Sequence, residues 1–178
     1  MQDLFSKWRT REVRYSEEFK PMFDELSQKG GGSTLKQTRF GKHFGNNYEF
    51  YIYAFFLGLY SDEFSPIAEG TKKERFGQPI QFWGNKANVV GRKDFSSIQE
   101  YIYAASIAKS DIDFIALDKG EITEEEVVKK LIQTIEAYAN GGFTLIKEKL
   151  EDNPNYFLQP TSFLNMVLWV NKGKPISG

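Results

Sequence analysis

Along most of the chain the apolar residues recur at the helical period, and polar capping residues stand where the apolar runs begin. In YSEEFKPMFDELSQKGGGST, Phe19, Met22, Phe23 and Leu26 fall at i, i+3, i+4 and i+7 on one helix face. Ser16 supplies an N-cap, Pro21 fits the first turn, and Gly30-Gly31-Gly32 ends the run. From Tyr48 to Tyr60 only Glu49 and Gly58 interrupt the apolar residues, behind Asn46 or Asn47 as cap. A helix apolar all round belongs at the centre of a fold. Ser97 and Glu100 have capping-box spacing, and Phe95, Ile98, Tyr101, Ile102 and Ala105 form one stripe. That amphipathic helix belongs at the periphery. Both helices contain Tyr-Ile-Tyr-Ala, at 51–54 and 101–104, but their flanks share little. The echo reads as two packing solutions, with Ala54 and Ala104 admitting close neighbours, and not as a duplication.

The strongest pattern is ITEEEVVKKLIQTIEAYANGGFTLIKEKLEDNP. Thr123 and Glu126 form a capping box, Glu124, Glu125 and Glu126 suit the positive end of a helix, and Lys147 and Lys149 suit its negative end. The apolar phase runs Val128, Leu131, Ile132, Ile135, Tyr138, Ala139, Phe143, Ile146 and Leu150. It survives Gly141-Gly142, which predicts one helix over 122–151, about 45 Å long at 1.5 Å per residue. The glycines then mark a close crossing or a kink. DIDFIALDKG predicts a short helix ended by Gly120, and TSFLNMVLWVNKGKP a last apolar helix from a Thr161 cap to Gly173 and Pro175. Residues 65–94 hold two prolines and four glycines without helical period, and QPIQFW fits a short strand. The expectation is an all-α domain of about six helices over 15–178, with an irregular or β-hairpin insertion at 64–93. Residues 1–14, with Trp8 among Arg9, Arg11 and Arg14, read as a loosely packed N-terminal arm.

Composition narrows the chemistry. Hydrophobic residues make up 40% of the chain and aromatics 16%, which commits it to a buried core and excludes disorder throughout. No apolar run reaches the roughly 18 residues of a membrane span, and the first residues lack a signal-peptide core, so a soluble cytoplasmic protein without a membrane partner is expected. The absence of cysteine excludes disulfides, thiolate metal sites and cysteine nucleophiles. A single histidine, His43, leaves little for a zinc site or a Ser-His-Asp triad. SDIDFIALDKGEITEEE ends like a calcium loop but puts Ile115, Leu117 and Lys119 where oxygen ligands belong. KGGGST and GKH both depart from the phosphate-loop pattern. No catalytic residue, metal ligand or cofactor is assigned, and no enzyme activity is expected.

Binding is the class that remains. LKQTRFGKHFG and GTKKERFGQPIQFWGNK each carry Arg-Phe-Gly, at 39–41 and 75–77, and between Lys36 and Lys93 nine Lys and Arg face five Asp and Glu. Lys36, Arg39, Phe40, Lys42, His43, Lys72, Lys73, Arg75 and Phe76 are the candidate contacts to a partner. Basic residues track phosphates and aromatics stack on bases, so these loops admit a nucleic-acid surface. The plainer reading has them flank the core, with Phe40, Phe44 and Phe82 packed inward. A net charge of −1 favours a protein partner over nucleic acid. The reading is a non-catalytic binding or accessory protein. The alternatives are nucleic-acid contact through the two loops and a small hydrolase using carboxylates alone.

Two segments carry a resemblance. FGKHFGNNYEFYIYAFFLGLY, with Ala54, Leu57 and Gly58 on an aromatic-led helix, resembles small accessory proteins of bacterial DNA phosphorothioation (Dnd) systems, and YANGGF at 138–143 is similar to the tyrosine-led Gly-Gly helix of such proteins. The resemblance covers about thirty of the 178 residues. It implies a small helical bacterial protein working beside DNA-modifying machinery without chemistry of its own.

Overall fold

The computed structural model describes residues 2–27, 43–86, 90–159 and 161–171. Among them are, in chain order, α1 (Gln2–Arg9), β1 (Tyr15–Ser16), α2 (Lys20–Leu26), α3 (Asn47–Ser61), β2 (Lys73–Glu74), α4 (Ile98–Ala108), α5 (Phe114–Asp118), α6 (Glu124–Asp152) and α7 (Ser162–Asn171). The all-α expectation holds, with β1 and β2 forming the one sheet among the described residues.

Helix α6 forms as its caps and phase dictate. The Thr123 hydroxyl accepts the Glu126 N–H at 3.2 Å and the Glu126 carboxylate accepts the Thr123 N–H at 2.8 Å, a complete capping box. The helix then runs unbroken through Gly141-Gly142. Gly142 marks a crossing with α3, the central packing contact of the fold, while Gly141 faces the Glu63 backbone just past the end of α3. A Cβ built on Gly142 would lie 2.7 Å from the Ala54 carbonyl carbon and closer still to its oxygen. A Cβ on Gly58 would lie 2.9 Å from Gly142 N and closer still to the Tyr138 oxygen. The backbones touch because neither helix has a side chain there. Beyond α3, Asp62 turns the chain in a left-handed conformation (φ 59°), and the segment after it lies along α6. Ser65 N–H donates to Ala137 O at 3.1 Å, and the Asn140 amide donates to Ser65 O at 3.1 Å. Covered on several sides, α6 is buried at every position from Thr134 to Phe143.

Several local expectations are corrected. Residues 2–14 are no loose arm: Leu4, Trp8 and Val13 are buried, with Trp8 between Phe5 and Tyr103 at centroid distances of 5.7 and 5.1 Å. The arginines that suggested exposure reach outward; the Arg11 guanidinium takes both oxygens of Glu125 at 2.7 and 2.6 Å. Ser16 lies in β1 and caps a short 3-10 turn without a side-chain bond, so α2 begins only at Lys20, although Phe19, Met22, Phe23 and Leu26 are buried as the spacing requires. The insertion does not make its own hairpin. Its β2 pairs with β1, Tyr15 with Glu74 and Ser16 with Lys73, and QPIQFW contains a 3-10 turn at Ile80–Phe82 instead of a strand. Ile80 and Trp83 carry this segment into the core, while Phe82, expected inward, is half exposed.

Helix α4 is peripheral as expected, but its buried face differs. Ser97 makes no capping bond, Tyr101 is exposed, and Gln99, Ile102 and Ser106 face inward. The Gln99 amide donates to Trp83 O at 2.8 Å and Gln81 O at 3.2 Å, so a polar residue fills a core position with its N–H groups satisfied. The two Tyr-Ile-Tyr-Ala copies have different roles: Ala54 is at the α3–α6 crossing and Ala104 is exposed.

Candidate functional site

Helix α7 is apolar at all but Ser162, Asn165 and Asn171, yet sits at the edge of the fold. Ser162 and Met166 face the core. Phe163 packs among Phe44, Tyr53 and Phe157 at centroid distances of 5.0, 5.2 and 4.7 Å, and the Tyr53 hydroxyl donates to Phe163 O at 2.8 Å. On the outer side Leu164 is 61% and Leu168 51% exposed, one turn apart, and the Lys149 ammonium lies 3.8 Å from the Trp169 ring centroid. Between α7 and α3 opens a groove of about 510 Å³ lined by Tyr53, Phe56, Leu57, Leu59, Tyr60 and Val167. None of these six residues carries a charge. A mostly apolar helix left half exposed, beside a charge-free groove, is the arrangement of a surface that another apolar element covers.

The candidate contact residues fall into separate places. Lys36, Arg39, Phe40 and Lys42 lie outside the described residues. His43 rests edge-on against Phe163 at 4.9 Å, and burial holds its imidazole pKa below the usual value. Phe76 is turned toward other rings, 5.7 Å from Tyr51 and 6.1 Å from both Phe23 and Trp83. Lys72 pairs with Glu17 and, at 3.6 Å, with Glu74, while Arg75 pairs with Glu12 at 3.6 Å. Lys73 opens instead onto a cleft. The carboxylates Glu124, Glu125 and Glu126 have structural partners: Lys7, Arg11 and the capping box.

The cleft at Lys73 was not legible as a site. It measures about 250 Å³ and is walled by Arg11–Arg14, Lys73 and the first half of α6. Its floor includes Glu136, which is 9% exposed and accepts the Arg14 N–H at 2.8 Å. Burial pushes the Glu136 carboxyl pKa up, and the Arg14 N–H and the Lys73 and Arg14 charges oppose the rise. The folded protein therefore holds this proton more tightly than the unfolded chain does. The resulting stabilisation is complete below the ordinary value of 4.5 and is lost as pH rises through the raised one. Glu136→Gln keeps an acceptor for the Arg14 N–H and removes the charge. Its urea midpoint should gain on the wild type as pH rises from about 4 to about 8. Parallel midpoint profiles would show that Glu136 is not desolvated.

No family model, curated protein or solved structure matches the chain. The residues that carried the Dnd resemblance have a packing role: Ala54 and Gly58 on α3 meet Tyr138 and Gly142 on α6 at the crossing. Among the described residues no helix is long and apolar enough to cross a membrane, and no group of three or more His, Asp or Glu is placed to hold a metal ion.

Proposed function

We propose that the protein is a non-catalytic binding module that seats an apolar segment of a protein partner on α7 and the α3–α7 groove. The observation that carries this reading is the exposure of Leu164 and Leu168 beside a groove without charged lining. Such a surface suits the apolar face of an amphipathic helix, which supplies anchors at helical spacing and places its own charges outside the groove. The accessory role implied by the Dnd resemblance agrees with a module of this kind, whose work is to bring another protein into place.

The test compares wild type with Leu164→Glu/Leu168→Glu in a quantitative pull-down from native lysate. Both side chains point outward, so circular dichroism and the urea midpoint should stay within about 0.5 kcal/mol of wild type. A protein retained by wild type and lost by the variant, then reproduced with the purified partner by calorimetry, is the expected result. Identical retained proteins for the two baits would overturn the reading. Sedimentation velocity on both proteins separates a foreign partner from a second copy of this chain.

A further inference from the structure

The cleft beside Glu136 does not stand alone. A second cavity of about 330 Å³, lined in part by Phe64, Pro66 and Ile67, shares Lys73, Gln133 and Glu136 with it. Together they make a site with a charged end and an end that is more apolar, though also bordered by Lys130 and Thr134, on a different part of the fold from the α3–α7 groove.

The charges at the first end do not cancel. Arg11 is held by Glu125, and Glu12 pairs with Arg75. Arg14, Lys73 and Lys129 line the same cleft and close no salt bridge among the described residues, although the charges of Arg14 and Lys73 act on Glu136 and that of Lys129 acts on Glu126. The lining thus holds four cations, Arg11, Arg14, Lys73 and Lys129, against three carboxylates, Glu12, Glu125 and Glu136, an excess of one positive charge. Burial raises the Glu136 carboxyl pKa above its ordinary value, which lessens without removing its repulsion of an anion seated here. One further atom on the lining residues, the Arg11 Nε donor, is buried without a hydrogen-bond partner, while Glu12 Oε2 has only the Arg75 guanidinium at 3.6 Å. Orphaned polar atoms of this kind are few in native structures and mark places where the chain relies on water or a ligand.

The geometry points to a binding site for a small organic oxyanion, a phosphate monoester or a carboxylate, with its charge among Arg14, Lys73 and Lys129 and its apolar body against Phe64, Pro66 and Ile67. Guanidinium offers a planar fork that pairs with two oxygens of either group, and the two ammonium groups add mobile donors. The Gln133 amide, common to both cavities, lies where the charged and apolar parts of such a ligand would join. This site is independent of the groove, so loss of partner binding at α7 would leave it untouched.

The experiment titrates the full chain, labelled with nitrogen-15, with phenyl phosphate, benzoate and inorganic phosphate, following the amide signals of Arg14, Lys73, Lys129 and Gln133. Saturable shifts with phenyl phosphate or benzoate are expected, and the tighter of the two identifies the headgroup. Inorganic phosphate should bind about tenfold more weakly than phenyl phosphate, because it leaves the apolar end empty. Arg14→Gln/Lys73→Gln removes two exposed side chains while keeping the backbone bonds of both residues, and should weaken the better ligand by about tenfold or more. Absence of saturable shifts with either organic anion would overturn the proposal, as would undiminished binding by the double variant. Equal affinity for inorganic and phenyl phosphate would overturn the assignment of the apolar body.

Discussion

Replacing Gly142 with alanine should unfold the protein more easily, although alanine is the better helix former by about 1 kcal/mol. A Cβ there would lie 2.7 Å from the Ala54 carbonyl carbon and closer still to its oxygen, and the obstacle is backbone, not the end of a mobile side chain. To admit a methyl group α3 and α6 must move apart along their central contact, which loosens the packing of Tyr51, Phe50 and Phe143 around it. Overpacking of a closed core commonly costs about 1–3 kcal/mol, and the rigid obstacle here puts the expected net loss at the upper end, about 3 kcal/mol. Gly58→Ala meets the Tyr138 carbonyl in the same crossing and should act in the same direction. Because both substitutions demand the same separation of the helices, the double variant should lose less than the sum of the singles. Urea unfolding monitored by circular dichroism measures all three. A gain in stability for Gly142→Ala would mean that the helices do not cross where the glycines lie.

The unbroken course of α6 through Gly141-Gly142, with a close crossing or a kink at the glycines, was legible in the sequence because two local signals agreed. The capping box at Thr123 set where α6 begins, and an apolar phase that continued across Gly141-Gly142 ruled out a break there. Where local signals were absent or misleading, the reading failed for identifiable reasons. Gln99 and Ser106 are polar and fall outside the apolar stripe of Phe95, Ile98, Tyr101, Ile102 and Ala105, but Gln99 donates to two carbonyls of the irregular segment and Ser106 bonds the Ile102 oxygen of its own helix at 2.6 Å. Those partners exist only once the chain has folded. The β1–β2 pairing joins residues far apart in sequence through two-residue strands, too short for any alternation to show. The charged cleft is assembled from Arg11–Arg14, Lys73 and α6, so only Lys73 stood out, as one of a basic run. The groove had one clear trace in the sequence. SFLNMVLWV is apolar but for Ser162 and Asn165, which in a helix at the edge of a fold leaves part of the apolar surface uncovered.

Trp8→Ala should cost about 3–5 kcal/mol, the usual loss when a large aromatic leaves a closed core. A residue in a loose arm would cost almost nothing, so this substitution separates the two accounts of the N-terminus sharply. Trp8 is fully buried, stacked on Phe5 and set against Tyr103 of α4, while Lys7 and Arg11 on either side of it pair with Glu124 and Glu125 at the start of α6. The ion pairs are exposed and contribute little by themselves; the indole is what fastens α1 to the rest of the fold. Its Nε1 adds an unusual feature, since it is buried and donates to nothing. The indole therefore brings apolar contact together with the penalty of a desolvated, unpaired donor. Trp8→Phe removes that donor along with part of the ring, so the lost contact is offset by the lost penalty, and the variant should stay within about 1.5 kcal/mol of wild type. Urea denaturation of wild type, Trp8→Phe and Trp8→Ala gives the ordering directly. Equal losses for Phe and Ala would mean that the indole N–H has a partner after all, and a negligible loss for Ala would detach α1 from the core.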